Sequence, residues 1–330
     1  MIRIAMLGAG RIGKIHARNA AGNPRCRLVA VADPVPEAAR GLAESLGAEA
    51  STDARAALAR SDVDAVIIGT PTDTHVDLML EAVRRGKAVL CEKPVDLDIR
   101  KVDAAAAEVE KLNGRVMIAF NRRFDPSAAA LKREILAGRI GEVRQVVITS
   151  RDPEPPPLSY IATSGGIFRD MMIHDFDMAR WLLGEEPAEI SAVASCLVDP
   201  AIGAAGDFDT LMVIMQTASG RQCHINNCRK AVYGYDQRFE VFGSAGMLLN
   251  DNLRPSTLRR YGAKETEARE PLLNFFLERY AEAYRIELES FVEAVETGGP
   301  MPVTVADGRQ ALRLADAALE SAKTGRRVRV

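Results

Sequence analysis

The opening thirteen residues, taken with one acid further on, constrain this chain more than anything else in it. An apolar run, Ile2-Arg3-Ile4-Ala5-Met6-Leu7, passes directly into Gly8-Ala9-Gly10-Arg11-Ile12-Gly13, and a helical pattern continues to about Ala21. A second apolar run, Leu28–Ala32, then ends on Asp33, 20 residues past Gly13. A glycine loop can be no more than a tight turn, but this order of strand, G-x-G-x-x-G, helix, strand and acid suits a dinucleotide. Gly8 permits the turn, Gly10 lets a pyrophosphate approach the backbone, and Gly13 lets the helix pack on the strand. Arg11 and Ile12 open a helix whose free N–H groups and partial positive charge face an anion. Asp33 can accept hydrogen bonds from the adenine ribose. Its charge repels a 2′-phosphate, and Pro34-Val35-Pro36 offers no compensating cation, so NAD is expected rather than NADP.

The pattern continues with strand-like runs at Ala65–Ile68, Lys87–Cys91 and Val116–Phe120, separated by helical stretches such as Ile99–Leu112. Continuous apolar strands alternating with helices mean a parallel sheet covered on both faces. This predicts a doubly wound α/β domain over residues 1–121. Past Asn121 the pattern changes. Strand signals at Val143–Ile148, Ile190–Leu197, Thr210–Thr217, Gln222–Cys228, Phe239–Phe242 and Met247–Leu249 leave little room for helical crossovers. A largely antiparallel or mixed sheet with one covered face is expected over 122–330. Two helices, about Leu273–Glu296 and Val305–Lys323, end this α+β domain and can pack back on the first domain, and a length of 330 residues is more than one core usually fills.

Charge and cysteine usage exclude several roles. Lys plus Arg (43) nearly balance Asp plus Glu (45), so no broad basic face is available for nucleic acid or an anionic membrane. No stretch of about 18 residues is free of charge, which excludes a transmembrane helix. The first apolar run is short and enters Gly8 at once, reading as a strand rather than a signal segment. Five scattered cysteines suggest no disulfide framework and a reducing, cytoplasmic setting. Cys223 and Cys228 are an odd number of residues apart, which puts them on opposite faces of a strand.

Only four histidines are present: His16, His75, His174 and His224. Asp170 and His174 are four apart and would share a face on a helix or its first turn. Such a pair suits a general base oriented by a carboxylate, although a buried histidine with a satisfied hydrogen bond fits the spacing equally well. A metal cluster of Asp170, His174 and Asp177 is disfavoured, because Asp177 has a simpler partner in Arg180, and no metal is expected. Glu92-Lys93-Pro94 follows the end of the fifth strand, where open α/β sheets bind ligands. Lys93 there can stabilise an alkoxide, or can be a solvated loop lysine. His16 and His75 can line the cofactor site or cap helices, and His224 receives no role.

These residues carry a resemblance over essentially the whole chain to the glucose–fructose oxidoreductase, inositol dehydrogenase and rhizopine-catabolism (Gfo/Idh/MocA) family. The Gly8–Gly13 loop, Thr70-Pro71-Thr72-Asp73-Thr74-His75, Glu92-Lys93-Pro94 and Asp170-x-x-x-His174 match its pattern. Three stretches, 121–125, 166–177 and 233–243, resemble its inositol-oxidising members. The resemblance implies a Rossmann domain followed by an open-faced sheet that binds substrate and often mediates tetramers. It implies NAD-linked oxidation of a ring secondary alcohol, myo-inositol to its 2-keto form, with another cyclitol or sugar, or a non-catalytic NAD-binding regulator, as alternatives. Lys93, Asp170 and His174 would be the catalytic three, and Thr70, Pro71, Glu92 and Lys93 would line the cofactor. Arg123, Asp152 and one of Tyr233 and Tyr235 would contact ring hydroxyls, the two tyrosines being expected on one strand face. The active site is expected in the cleft between the domains, and the bond before Pro94 is often cis in such proteins.

Overall fold

A computed structural model describes residues 1–330 and divides them into two compact units, 1–124 with 283–312, and 125–282 with 313–330. The first holds β1 (Ile2–Leu7), α1 (Arg11–Gly22), β2 (Cys26–Ala32), α2 (Pro36–Leu46), β3 (Glu49–Ser51), α3 (Ala54–Ala59), β4 (Ala65–Ile68), α4 (His75–Arg84), β5 (Ala88–Cys91), α5 (Ile99–Lys111) and β6 (Val116–Ile118). All six strands are parallel, in the order β3-β2-β1-β4-β5-β6. The chain starts at the centre and winds outwards both ways, so the β1–β4 boundary is the switch point at which such sheets bind ligands. Residues 4–7 and 65–68 are wholly buried, as continuous apolar strands between two helical layers should be. The short edge strand β3 and helix α3 were not expected. Glu49 and Ala50 are exposed, Ser51 is half-buried and the strand carries no apolar pattern, and α3 owes its start to Asp53, which caps the Arg55 amide at 2.8 Å.

The second unit begins with α6 (Pro126–Leu136) and β7 (Val143–Arg151), followed by three helices, α7 (Leu158–Ser164), α8 (Gly166–Asp170) and α9 (Ile173–Leu183). Next come β8 (Pro187–Ser195), α10 (Pro200–Ala204), β9 (Thr210–Thr217), β10 (Gln222–Cys228), β11 (Asp236–Gly243) and β12 (Met247–Asn250). An exposed hairpin, β13 (Arg259–Gly262) with β14 (Glu265–Arg269), leads to α11 (Phe276–Arg279), α12 (Ala281–Thr297), α13 (Val305–Thr324) and β15 (Val328–Arg329). The main sheet runs β12-β11-β7-β10-β9-β8-β15, antiparallel throughout except for the β7–β10 pair. It is therefore mixed. Leu211, Val213 and Met215 alternate with Met212, Ile214 and Gln216 along β9, the first set buried and the second facing out. The apolar stripe of α9, Phe176, Ala179 and Leu183, is likewise buried, and α9 packs on β7 and β10. The single helix expected over 273–296 is broken at Tyr280, where Arg279 is buried against Asp125 at 2.5 Å.

Candidate active site

In the first unit, three glycines shape the loop between β1 and α1. Gly8 has φ +97°, and a Cβ there would lie 2.5 Å from the Gly69 carbonyl oxygen after β4. A Cβ on Gly13 would lie 2.0 Å from the Gly8 oxygen, so only glycine lets α1 sit this close to the loop. A Cβ on Gly10 would meet nothing within 4 Å, which leaves open space against the backbone at the helix start. No side chain caps α1, so its first amides are available to an anion. Asp33 is fixed beside them. Its Oδ2 accepts the Ala9 amide at 2.7 Å and its Oδ1 the Val35 amide at 2.9 Å. A carboxylate offers about four acceptor sites, so ribose hydroxyls can still be held. Loop, helix end and acid together fit a dinucleotide.

Two buried histidines brace this unit. His75 is 1% exposed and lies 2.8 Å from both the Thr70 and Pro94 carbonyl oxygens. A carbonyl only accepts, so at either contact the ring nitrogen is the donor, and the ring sits between the loop after β4 and the loop after β5. Thr70 Oγ1 also shares a 2.6 Å bond with Thr74, whose hydroxyl donates to the Pro71 oxygen. His16 is wholly buried on α1 and bonds Glu92 Oε1 at 2.8 Å, while Glu92 Oε2 accepts the Lys93 amide at 3.3 Å. The Lys93–Pro94 bond is cis. Arg123, expected to touch substrate, donates to Asp307 Oδ1 at 2.9 Å.

In the second unit, Asp170 and His174 do not share one helix. Asp170 ends α8, His174 lies in the first turn of α9, and Met171 and Met172 form the corner between them. The corner lets each side chain be set by its own helix. Asp170 Oδ1 accepts the Tyr160 hydroxyl at 2.9 Å. Asp175, next to His174 and fully buried, accepts Asn227 Nδ2 at 2.8 Å, and the same amide reaches the Ser150 oxygen at 3.0 Å. This pins the start of α9 to the sheet. Asp177 and Arg180 form an ion pair at 3.7 Å. Asp152 is held through its backbone, donating to the Cys228 oxygen at 2.9 Å and accepting the Ala231 amide at 2.7 Å.

Tyr233 and Tyr235 are not on a strand face, because β11 begins only at Asp236 and Gly234 takes φ +115° between them. The turn separates their side chains. Tyr235 is 5% exposed and meets Tyr280 edge-on, whereas Tyr233 is 47% exposed. Its hydroxyl donates to Asp236 Oδ2 and accepts from Arg151 Nη1, both at 2.7 Å. Burial and the Asp236 contact push the Tyr233 phenol up. Burial opposes ionisation of Asp236 itself, but hydrogen bonds from Arg238, Tyr233 and Asn252 outweigh it and hold that carboxyl low. Burial lowers His224, on β10. Tyr160, Arg151 and the His16–Glu92 pair were not singled out from sequence as working contacts, since no spacing rule links residues brought together only by the fold.

Comparison with known proteins agrees with this arrangement. Residues 2–120 match the GFO/IDH/MocA oxidoreductase family with its NAD-binding Rossmann fold, and residues 128–249 match the GFO/IDH/MocA C-terminal domain. An inositol 2-dehydrogenase of Rhizobium meliloti is 52% identical over 329 residues, covering 100% of this chain and 99% of that protein. The crystal structure of a myo-inositol dehydrogenase from Corynebacterium glutamicum, 48% identical, superposes with a TM-score of 0.97 over 100% of this chain and 99% of that one. A scyllo-inositol dehydrogenase from Lactobacillus casei, solved with NAD(H) and scyllo-inositol bound, is 29% identical with a TM-score of 0.92, covering 100% of this chain and 99% of that one.

Proposed function

The chain belongs to the GFO/IDH/MocA oxidoreductase family and is an NAD-dependent dehydrogenase acting on a CH–OH group, and from that premise we propose that it oxidises myo-inositol to the 2-keto compound. The observation that carries this reading is the full-length match, at 52% identity, to a protein named for that reaction. We assign cofactor binding to residues 1–121 and substrate binding to 122–330, although residues 283–312 belong to the first compact unit.

Bound NAD supplies the hydride acceptor; the remaining work falls to side chains. The open amides of α1 hold the pyrophosphate, Asp33 holds the adenine ribose, and Thr70, Pro71 and Glu92 shape the wall beside them. His174 takes the hydroxyl proton as the carbon loses hydride, with Asp170 orienting it and Lys93 holding the oxygen. Arg123, Asp152 and Tyr233 contact ring hydroxyls, the exposed Tyr233 being better placed for this than the buried Tyr235. NAD reduction with a panel of inositol isomers and sugars tests the reading, and absence of turnover with every inositol would end it. Turnover of another polyol would move the substrate within the same chemistry. His174→Ala should lower kcat by about 10²–10⁴-fold while NADH still binds. Equal inactivity of wild type and variant would favour a non-catalytic, NAD-binding regulator.

We propose further that the protein is a homotetramer, on the strength of the exposed apolar side chains Val193, Met212 and Ile214 on the outer face of the second sheet. A cytoplasmic setting is supported by five free thiols. No helix is long and apolar enough to cross a membrane.

A further inference from the structure

His16 and Glu287 are buried ionisable groups of the first unit that perform none of the steps above, and Glu92, assigned above only to the cofactor wall, is buried as well. Helix α12 carries Tyr284 and Glu287 three residues apart, hence on one face. Tyr284 meets the His16 ring edge-on, with centroids 5.6 Å apart. His16 holds one oxygen of Glu92, and the other oxygen takes the Lys93 amide. Glu287 is 0% exposed, and neither of its oxygens has a hydrogen-bond partner within the protein. An ionised carboxylate in such a place bears the full cost of leaving water. Burial first, and the charge of Glu92 second, raise Glu287 well above the usual carboxylate range. Glu92, at the end of β5, is the charge acting on it, and His16, on α1, is the titratable group bound to Glu92.

We propose that Glu287 is a positioning residue that works as a neutral acid, leaving Glu92 the single negative charge of this cluster. Both Glu92 oxygens then stay committed, one to His16 on the cofactor-binding helix and one to the backbone at Lys93. A second charge on Glu287 would repel Glu92 and loosen the tie between α1 and the Lys93 loop. The catalytic part played by Lys93 rests on the function proposed above, but the tie to the cofactor helix does not.

The test follows NADH binding by fluorescence, and thermal melting, in the full-length wild type and in Glu287→Gln from about pH 6.5 to about pH 9.5. Glutamine is nearly isosteric and stays neutral. Both proteins should bind NADH equally at neutral pH, while towards the alkaline end the wild-type Kd should rise by about threefold or more and that of the variant stay flat. The melting temperatures give the sign independently. A carboxyl raised in the folded state contributes fully below the ordinary glutamate range and loses that contribution as pH rises through its folded value. The melting-temperature difference should therefore grow in favour of glutamine with rising pH. Equal alkaline slopes in the two proteins, or loss of NADH binding by the glutamine variant at neutral pH, would overturn the proposal. Should that variant fail to fold, Glu287→Leu is measured the same way: a flat Kd supports the proposal and an alkaline loss overturns it. NADH binding does not depend on which alcohol is oxidised, so failure of the inositol reading leaves this result standing.

Discussion

The Asp33 carboxylate holds the Ala9 amide of the glycine loop, and in the proposed site it also presents a negative charge to the adenine ribose. Asp33→Ser should therefore cost affinity for NAD and relieve repulsion of a 2′-phosphate. Loss of hydrogen bonds to a charged group, about 1.5–3 kcal/mol, corresponds to roughly a 10- to 100-fold fall in kcat/KM with NAD. Measuring NAD and NADP side by side separates the two effects. A damaged loop lowers both, whereas a removed charge narrows the preference between them. Tyr160 is the other single residue on which much depends. Its hydroxyl donates to Asp170, so Tyr160→Phe should lower kcat by about tenfold through the lost charge-assisted bond. The Kd for NADH should not move, and an unchanged kcat would reduce Tyr160 to a surface residue. Asp33 was legible in the sequence because its distance from the loop is set by one strand–helix–strand unit. Tyr160 was not, and neither was His16 on Glu92, 76 residues away, because such contacts depend on how separate segments pack.

At the scale of elements, legibility followed apolar pattern. The strands β1, β2, β4, β5 and β6 are apolar runs, broken only by Arg3 and Arg27 near the starts of β1 and β2, because both faces of their sheet are covered, and α9 showed its stripe because one side lies on β7 and β10. The polar, exposed β3, β13 and β14 bury too little to leave any periodic signal. The corner at Met171–Met172 was hidden for another reason: two short helices in succession keep almost the same apolar spacing as one. Some elements depend on one internal group. The buried Asp209 carboxylate accepts the Leu197, Val198 and Asp199 amides at 2.8–3.0 Å and so organises the turn from β8 into α10. Burial opposes its ionisation, but these amides prevail and hold it at about 2. A depressed carboxyl contributes stability above its unfolded pKa that is lost as pH falls through the folded value. Asp209→Asn should therefore lower stability by roughly 1–3 kcal/mol at neutral pH, with the deficit shrinking in acid. Urea unfolding at neutral pH and at about pH 3 checks both the size and the sign.

At the scale of the whole molecule, the outer face of the second sheet is the observation behind the proposed tetramer. An antiparallel sheet with one solvated face normally alternates apolar-in with polar-out. Here Val193, Met212 and Ile214 point out and are 73%, 59% and 59% exposed. The register makes a patch of them: Val193 stands opposite Met212, and Ile214 lies between Ser191 and His224. Across β7 and β11 the same row continues through Val147 and Glu240 to the exposed Leu249. The exposed apolar group is Val193, Met212 and Ile214, with Ser191, His224 and Glu240 interrupting the row beyond it, and a group of this kind is a candidate interaction site. A second copy of the chain is the partner in the proposed tetramer, where each large apolar side chain that becomes fully buried contributes about 1.5–3 kcal/mol. Replacing Met212 and Ile214 together by lysine removes that burial and sets like charges against each other. Leu211, Val213 and Met215 keep the same strand anchored, so each subunit should still fold. Light scattering should then report a tetrameric mass for the wild type and a smaller species for the double variant. Near-ultraviolet circular dichroism should be retained, because the covered face is untouched. A tetramer that survives both lysines would place the interface elsewhere on the molecule, and a monomeric wild type would refute tetramer formation itself.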